Sequence, residues 1–347
     1  SALMQGYPHT LLEADGHGGA AGFVTRIQAF LQSARRFADE GDVAAPLSEV
    51  RAVGHMQPSG HRGPYLDRDV RYLFMSSADY LGPVFAAAYR SAGYDAVAAP
   101  PLSEETAVTG RGDCSGKECM SYQLIWGAFR HYLEQHPSPR ETRMVQISGQ
   151  MCRAGLYPLK DRINLDRMDL GGTTSVISLR IAGGPRMSAR VWAGMTAVDV
   201  LRQLYLYHLC VEPSPGEAER VYRLYGDAVV RLMERPTEGS ALQLASQWRE
   251  LLALLDEAGA AFARMEATAG ADPNRPVLFL SGDQMTKGND FAAGGAFAFL
   301  AARGARIVFE PTCDFLEFLA EVHPTLVFGR SSPPAQNAGY RLFMVQV

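Results

Sequence analysis

The sequence predicts an α/β protein built from doubly wound, mostly parallel sheets, in Rossmann or flavodoxin-like units, with a helical insertion. Three observations lead to this fold class. Short β-prone runs alternate with helical patterns at residues 70–182, a long helical stretch follows at 183–268, and the alternation returns at 269–347. A crossover helix between two strands normally makes those strands parallel, so this order favours parallel sheets covered by helices on both faces.

Composition and charge narrow the class of protein. The 347 residues have a formal net charge of −4, and 47% of them are hydrophobic, which is typical of a globular protein with a substantial core. The pI of about 6.1 indicates no excess of basic residues of the kind that nucleic-acid-binding domains have. No run reaches the roughly 20 apolar residues of a membrane helix, and no signal-peptide pattern is present. We expect a cytoplasmic protein with no nucleic-acid partner and no membrane partner.

The first 69 residues predict one helix and a linker. Residues 1–40 contain apolar residues at helical spacing, namely Phe23, Ile27, Phe30, Leu31 and Ala34. We interpret this stretch as the closing helix of a preceding module. Residues 41–69 are rich in Gly, Pro, Ser and charged residues, which indicates a linker.

Residues 70–182 are predicted to form an α/β domain that carries cysteine motifs. A helix is expected at 81–92, and apolar spacing from Tyr122 onward indicates another. The expected strands are the β-prone runs at 70–77, 94–101, 144–147 and 175–181. Together these runs predict two strand–helix–strand units in one mostly parallel sheet.

The remaining residues predict a helical insertion or lid and a further α/β unit. Within the insertion, at 183–268, helical patterns lie around 201–208, 216–233 and 240–266. Residues 269–347 are expected to complete the C-terminal domain. The expected elements there are the strands PVLFLSG and ARIVFEP, a helix at 290–303 between them, a final helix at 312–322 and a terminal strand.

The stretch from Gly110 to Tyr157 carries the candidate site. It holds three of the five cysteines, Cys114, Cys119 and Cys152, in two glycine-containing turns. The second turn follows the β-prone run at 144–147, so Cys152 is expected just past the end of a strand. In an open α/β sheet, that edge is where ligands and cofactors bind. Iron prefers thiolate ligands, and an odd number of cysteines indicates a reducing compartment, so we hypothesise an iron–sulfur cluster at these turns.

No nucleotide-binding motif is complete in the sequence. The glycines of GRGDCSGKE, at positions 110, 112 and 116, are spaced one residue too far apart for the dinucleotide fingerprint. Lys117 is followed by Glu118, where a phosphate-binding loop has Ser or Thr. We therefore predict no ATP site in this chain, and ATP hydrolysis would occur on another chain or domain.

Several stretches of the sequence resemble one protein family. GKECMSYQLIWGAF and ISGQMCRAGLY look like the two cysteine motifs of the 2-hydroxyacyl-CoA dehydratase-like region in large, multidomain acyl-CoA dehydratase activase proteins. VWAGMTAVDVLRQL, CVEPSPGEAERVY and RPVLFLSGDQMTKGNDFAAGGAFAFLAARGARIVFEP are similar in the same order. The opening LLEADGHGGAAGFVTRIQAFLQSA resembles the close of a preceding dehydratase-like module. The similarity covers about Leu11 to Leu319.

The resemblance implies a component of an ATP-dependent, low-potential electron-transfer system. A separate activase ATPase domain or subunit would pass an electron to an iron–sulfur cluster, of the [4Fe–4S] type, on this chain. The implied reaction is the reductive dehydration of a 2-hydroxyacyl-CoA or another reduction of an acyl-CoA-like substrate. The chain would act as a homodimer or as part of a larger multidomain polypeptide. The alternative is a non-catalytic docking or scaffold domain of the same fold without a cluster.

The resemblance also assigns the cluster ligands. Cys119 and Cys152 match the family's cysteines, and Cys114 is a further candidate metal ligand. Two thiolates do not complete a cubane cluster, which usually takes four. Three sources of further ligands remain open, namely Cys114, a second copy that shares the cluster across a two-fold interface, and the preceding module.

Other residues of the two turns are candidates for binding the cofactor. Arg153 has a planar guanidinium that suits a cluster sulfide, a phosphate or a CoA pyrophosphate, and the alternative is an ordinary salt bridge. Gly116 and Gly149 are expected to let the backbone approach the cluster closely. Cys210 and Cys313 are interpreted as small packing residues.

Overall fold

A computed structural model describes residues 20–39, 64–116, 118–147, 153–178, 184–236, 241–270 and 274–314. The chain divides into two compact units, Ser1–Gly54 and His55–Val347. The first unit contributes one described element, helix α1 (Ala20–Asp39), which is the amphipathic helix expected from the sequence. No described helix combines the length and the apolarity needed to cross a membrane.

A four-stranded parallel sheet forms the first layer of the second unit. Its strands are β1 (Arg71–Phe74), β2 (Asp95–Ala98), β3 (Thr142–Gln146) and β4 (Thr174–Ser178). They lie in the order β2-β1-β3-β4, and each neighbouring pair is parallel. Strand β2 therefore lies on one side of β1, and β3 and β4 lie on the other, as in flavodoxin-like doubly wound folds. The predicted fold class is confirmed.

Helices cover both faces of this sheet. They are α2 (Leu81–Ser91), α3 (Glu104–Gly112), α4 (Met120–Gln135), α5 (Tyr157–Arg167) and α6 (Gly184–His208). Successive residues of a strand point to opposite faces, so β1 and β3 bury apolar side chains on both sides. Leu73 and Met144 pack with α3, α4 and α5, whereas Phe74 and Val145 pack with α2 and α6.

The helical insertion and a second, smaller sheet complete the unit. Beyond α6, the elements are α7 (Glu217–Glu234), α8 (Ala241–Ala269), β5 (Val277–Leu280), α9 (Gln284–Gly288), α10 (Ala296–Ala301) and β6 (Arg306–Phe309). Strands β5 and β6 are parallel. One apolar core joins α2, α6, α7, α8 and β6, for example through Val84, Leu201, Val229, Phe262 and Ile307. The insertion thus packs against both α/β parts, while the predicted domain boundaries stay predictions.

Helix α3 is a correction to the sequence interpretation. Gly110 and Gly112 were expected in a turn, but they are the last residues of α3. The helix begins with a capping box, in which Ser103 Oγ accepts from the Thr106 amide and Thr106 Oγ1 accepts from the Ser103 amide. The helix buries few residues, among them Thr106 and Ala107, so it lacks an apolar stripe that would reveal it in the sequence.

The C-terminal α/β part also differs from expectation. The helix expected at 290–303 is limited to Ala296–Ala301, because Gly294 and Gly295 adopt φ values of 60° and 80° that interrupt a right-handed helix. Residues 312–314 are helical, as expected for the start of the last helix. The rest of that helix and the expected terminal strand lie outside the described residues.

Helices α3 and α4 cross at two glycines. A Cβ on Gly110 would collide with the carbonyl oxygen of Gln123, and a Cβ on Gly127 would collide with the carbonyl oxygen of Thr106. The two backbones therefore touch with no side chain between them. This contact sets where α3 ends and α4 begins, and so it positions the loop 113–119 that joins them.

We expect that Gly110→Ala and Gly127→Ala each lower the free energy of unfolding by about 3 kcal/mol, because overpacking a rigid backbone contact forces the helices apart. Gly112→Ala is the matched control, since it lies on the same helix and a Cβ there meets no atom within 4 Å. It should be neutral or stabilising by up to about 1 kcal/mol. Urea denaturation measures all three, and equal stability of the Gly110 and Gly112 variants would contradict the crossing.

Candidate functional site

The candidate site lies at the carboxyl edge of the four-stranded sheet, where the strand order reverses between β1 and β3. Met75 and Ile147 directly follow these two strands. Both pack in the same apolar cluster as Cys114 and Cys119, which the loop 113–119 carries. The crevice outside such a reversal is the usual ligand position in open α/β sheets. The two thiols therefore lie where this fold generally binds ligands.

Side chains from α4 hold the start of the loop 113–119, which we call the thiol loop because it carries Cys114 and Cys119. Asp113 caps the end of α3, and its carboxylate accepts hydrogen bonds from Trp126 Nε1 and Arg130 Nη1, each at 2.7 Å. The Asp113 carboxylate thereby links the start of the loop to α4, the helix that follows the loop. Gly116 has a φ of 84°, a left-handed conformation that favours glycine. The expected close approach of a cluster to the backbone at Gly116 stays a prediction.

Glu118 holds the end of the thiol loop. Its carboxylate accepts hydrogen bonds from the amide (2.8 Å) and the hydroxyl (3.0 Å) of Ser115, and it forms an ion pair with Lys160 Nζ at 2.9 Å. Burial alone would raise the pKa of Glu118, but the hydrogen bonds from Lys160 and Ser115 outweigh it and lower this pKa to about 2. An anion at this position keeps the loop attached to α5 at neutral pH.

The two thiols have different surroundings. Cys119 is the N-cap residue of α4, and its Sγ lies 2.7 Å from the hydroxyl of Tyr157. Burial, together with the nearby Glu118 carboxylate, raises the pKa of Cys114 to about 11. Cys114 is therefore protonated at neutral pH in the absence of a cation. A bound metal ion would deprotonate such a thiol outright.

A buried polar set underlies the thiols. Gln146 Nε2 donates to Asp161 Oδ2 at 2.8 Å, and Asn164 Nδ2 donates to the hydroxyl of Tyr122 at 3.2 Å. The exposed fraction of each of these four side chains is at most 1%. Burial raises the pKa of Asp161 to about 7. These residues were missed in the sequence, where the only signal is the spacing of Asp161 and Asn164, three residues apart on one helix face.

The second turn of the predicted site is described only in part. Gly149 and Cys152 lie outside the described residues. Arg153 begins a short 3₁₀ turn, Arg153–Leu156, and its side chain is likewise not described. Ala154 packs in the same apolar cluster as Cys114 and Cys119.

The other two cysteines lie in other parts of the second unit. Cys210 belongs to a 3₁₀ turn, Leu209–Val211, after α6. Cys313 is buried, its amide donates to Asp199 Oδ2 at 2.9 Å, and its Sγ accepts from Thr196. Within the described ranges, no group of three or more His, Cys, Asp or Glu side chains is arranged to hold a metal ion. A thiolate site with three cysteines would therefore need Cys152.

A second polar cluster joins the carboxyl edges of both sheets. Its centre is Arg202 on α6, which pairs with Asp79 after β1 at 3.2 Å and with Asp290 after α9 at 2.7 Å. Asn289 Nδ2 donates to Asp79 at 3.3 Å, and the hydroxyl of Tyr205 donates to Asp290 at 3.1 Å. Burial raises the pKa of Asp79 to about 6, although Arg202 acts in the opposite direction.

Helix α9 connects this second cluster with the thiol site. Met285 of α9 packs in the apolar cluster that contains both thiols, and Asp283 accepts a hydrogen bond from Ser121 on α4 at 3.5 Å. At its other end, the carbonyl of Lys287 accepts from Arg202 at 3.3 Å. The short helix thus contacts both polar regions at the edge where the two sheets meet.

Comparisons of this chain with protein-family models, with curated proteins and with solved structures find no match.

We expect Asp79→Asn to change how stability depends on pH. Folding raises the pKa of Asp79 from 3.8 to about 6, so the folded state binds its proton more tightly than the unfolded state. This carboxyl therefore makes the free energy of unfolding fall as pH rises from about 4 to about 6, by up to about 3 kcal/mol. The asparagine removes that contribution, so the variant should gain stability relative to wild type over this range.

Chemical denaturation at pH 4, 5, 6 and 7 measures the effect. Asp69→Asn is the control, because it removes an exposed carboxylate from the same unit. A constant stability difference between the Asp79 variant and wild type from pH 4 to pH 7 would contradict the claim that burial disfavours the charged form of Asp79.

Proposed function

We propose that this chain is the cluster-bearing component of an ATP-dependent, low-potential electron-transfer system of the 2-hydroxyacyl-CoA dehydratase type. The observation that carries the proposal is the position of Cys119 at the start of α4, with Cys114 on the loop before it, at the sheet edge where the strand order reverses. In this proposal Cys114, Cys119 and Cys152 bind an iron–sulfur cluster, which supplies one-electron chemistry.

The place of Cys152 in the sequence supports a role for it, because this residue comes two positions before Ala154. Ala154 packs in the cluster that contains Cys114 and Cys119. Tyr157, whose hydroxyl contacts Cys119 Sγ, follows Cys152 by five residues. This short separation from Tyr157 along the sequence supports Cys152 as the third ligand, and the fourth ligand comes from substrate, from water, from a second copy or from a preceding module.

The residues around the thiols fit a cluster in three respects. Met75 and Ile147 supply an apolar wall, which limits the access of water to a low-potential centre. The hydrogen bonds that Asp113 and Glu118 accept fix both ends of the loop that presents the two thiols. Gly116 leaves the space beside its Cα open, because a Cβ there would meet no atom within 4 Å. A cofactor therefore has access to the backbone of this loop.

The proposal includes partners and a cellular setting. The electron donor is a separate activase ATPase domain or subunit, since no nucleotide motif in the sequence is complete. The electron acceptor is an acyl-CoA-like substrate, bound by a homodimer or by a larger chain of which this sequence is a part. The setting is cytoplasmic, where free cysteines stay reduced, and neither nucleic acid nor a membrane takes part.

A docking or scaffold domain without a cluster is the second candidate. It is favoured by the two thiols themselves, because each is accommodated without a metal. Cys119 Sγ has the hydroxyl of Tyr157 as a polar contact, and Cys114 is held in its neutral form by burial. In that case both cysteines act as ordinary partly buried residues of the fold.

Anaerobic reconstitution with iron and sulfide separates the two candidates. Wild-type chain should acquire iron and acid-labile sulfide, about four of each per complete [4Fe–4S] cluster, with a brown colour. Cys114→Ala, Cys119→Ala and Cys152→Ala should each lose most of the bound iron. Cys210→Ala and Cys313→Ala are matched controls that should keep it, and circular dichroism checks that every variant folds.

The stoichiometry identifies the missing ligands. Half a cluster per chain would indicate that two copies share one cluster, and full retention in Cys114→Ala would assign the further ligand to another source. Wild-type chain that binds no iron after reconstitution, while remaining folded, would contradict the proposal and leave the scaffold function.

A further inference from the structure

A cavity among helices α6, α7 and α8 is a candidate binding site that is separate from the thiols. Its volume is about 220 Å³, and α6, α7 and α8 supply its lining. The apolar part of the lining includes Ala193, Met233, Leu244, Trp248 and Leu251. An apolar cavity of about 150 Å³ is large enough to hold benzene, so this cavity suits a ligand of about nine non-hydrogen atoms.

A buried arginine forms one wall of the cavity. The exposed fraction of Arg190 is 6%, and its guanidinium is held at the end of α7. It donates to the carbonyl oxygens of Met233 (2.8 Å), Leu232 (2.8 Å) and Arg235 (2.6 Å), and to the side-chain oxygen of Gln247 (2.6 Å). All four acceptors are neutral groups. The partial negative charge of a helix C-terminus, about half an elementary charge, offsets only part of the guanidinium charge.

Every charged side chain in the described part of the cavity lining is positive. The charged residues in its described lining are Arg186 and Arg190, and no carboxylate belongs to that lining. Arg235, whose carbonyl accepts a hydrogen bond from Arg190, forms an ion pair with Glu250 through its own side chain. Among the described residues, Arg190 has no acidic partner within ion-pair distance, although a buried charge is costly unless it is paired.

We propose that this cavity binds a small carboxylate with an apolar body. The carboxylate pairs with Arg190, and the apolar body lies against Met233, Leu244 and Trp248. A ligand of this kind brings a negative charge to Arg190 and buries its apolar part at the same time. The proposal is independent of the iron–sulfur cluster, because the thiols take no part in it.

A set of three eight-carbon probes tests the charge preference on the wild-type, full chain. The probes are octanoate, octanol and octylamine, which share their apolar body. Trp248 reports on binding, because it lines the cavity and is 41% exposed, whereas Trp126 and Trp192 are buried. We expect octanoate to bind at least about tenfold more tightly than octanol, since a charge-assisted hydrogen bond exceeds a neutral one by this much. Octylamine should bind most weakly.

A cavity-filling variant tests the location. Ala193→Leu should weaken octanoate binding at least tenfold, because the larger side chain occupies the apolar part of the cavity. Val200→Leu is the matched control, since Val200 lies exposed on the same helix, two turns away, and does not line the cavity. Isothermal titration calorimetry measures each affinity, and circular dichroism checks the fold.

Three results would overturn the proposal. The first is equal affinity for octanoate and octanol in the wild-type chain, which needs no variant to fold. The second is unchanged octanoate binding in a folded Ala193→Leu variant. The third concerns Glu238, which lies outside the described residues and supplies the only carboxylate of the segment 237–240. Octanoate binding that is absent in wild type and present in Glu238→Gln would assign the partner of Arg190 to the chain itself.

Discussion

The backbone contact between α3 and α4 is the constraint on which the candidate site depends. Because Gly110 and Gly127 have no side chains, the two helices approach until the carbonyls of Gln123 and Thr106 touch the opposite backbone. The seven-residue loop 113–119 must then turn tightly between the helix ends. Its two thiols are positioned by a rigid crossing, so their location at the sheet edge does not rely on the loop alone.

The second constraint is the meeting of two carboxyl edges. The loop after β1 supplies Asp79, and the segment after β5 supplies α9 and Asp290, and Arg202 ties the two together. Met285 of α9 reaches the apolar cluster around the thiols. Ser121, two residues after Cys119, donates to Asp283, so the segment before α9 lies beside the start of α4. The cavity at Arg190 is separate from this edge, because α6, α7 and α8 alone supply its described lining.

The sequence predicted the fold class and the long elements, because their apolar periods are regular. The continuous run at β1 and the wide apolar face of α7 are of this kind. Helix α3 was missed since it buries few residues, and the burial of Asp161 arises from α5 packing on β3, which no local pattern encodes. The hydrogen bond between Ser121, which follows the thiol loop, and Asp283 joins residues about 160 positions apart, so only the tertiary structure reveals it. The thiol ligands and the cluster stay predictions.

Differential alkylation of the cysteines tests the central claim most directly. Protein loaded anaerobically with iron and sulfide, and the same protein without them, are treated with iodoacetamide, and the label on each cysteine peptide is measured by mass spectrometry. We expect loading to protect Cys114, Cys119 and Cys152, because a metal-bound thiolate is no longer a free nucleophile. Cys210 is the internal control and should react equally in both samples. Equal labelling of Cys119 with and without iron and sulfide would contradict a cluster at this edge of the sheet.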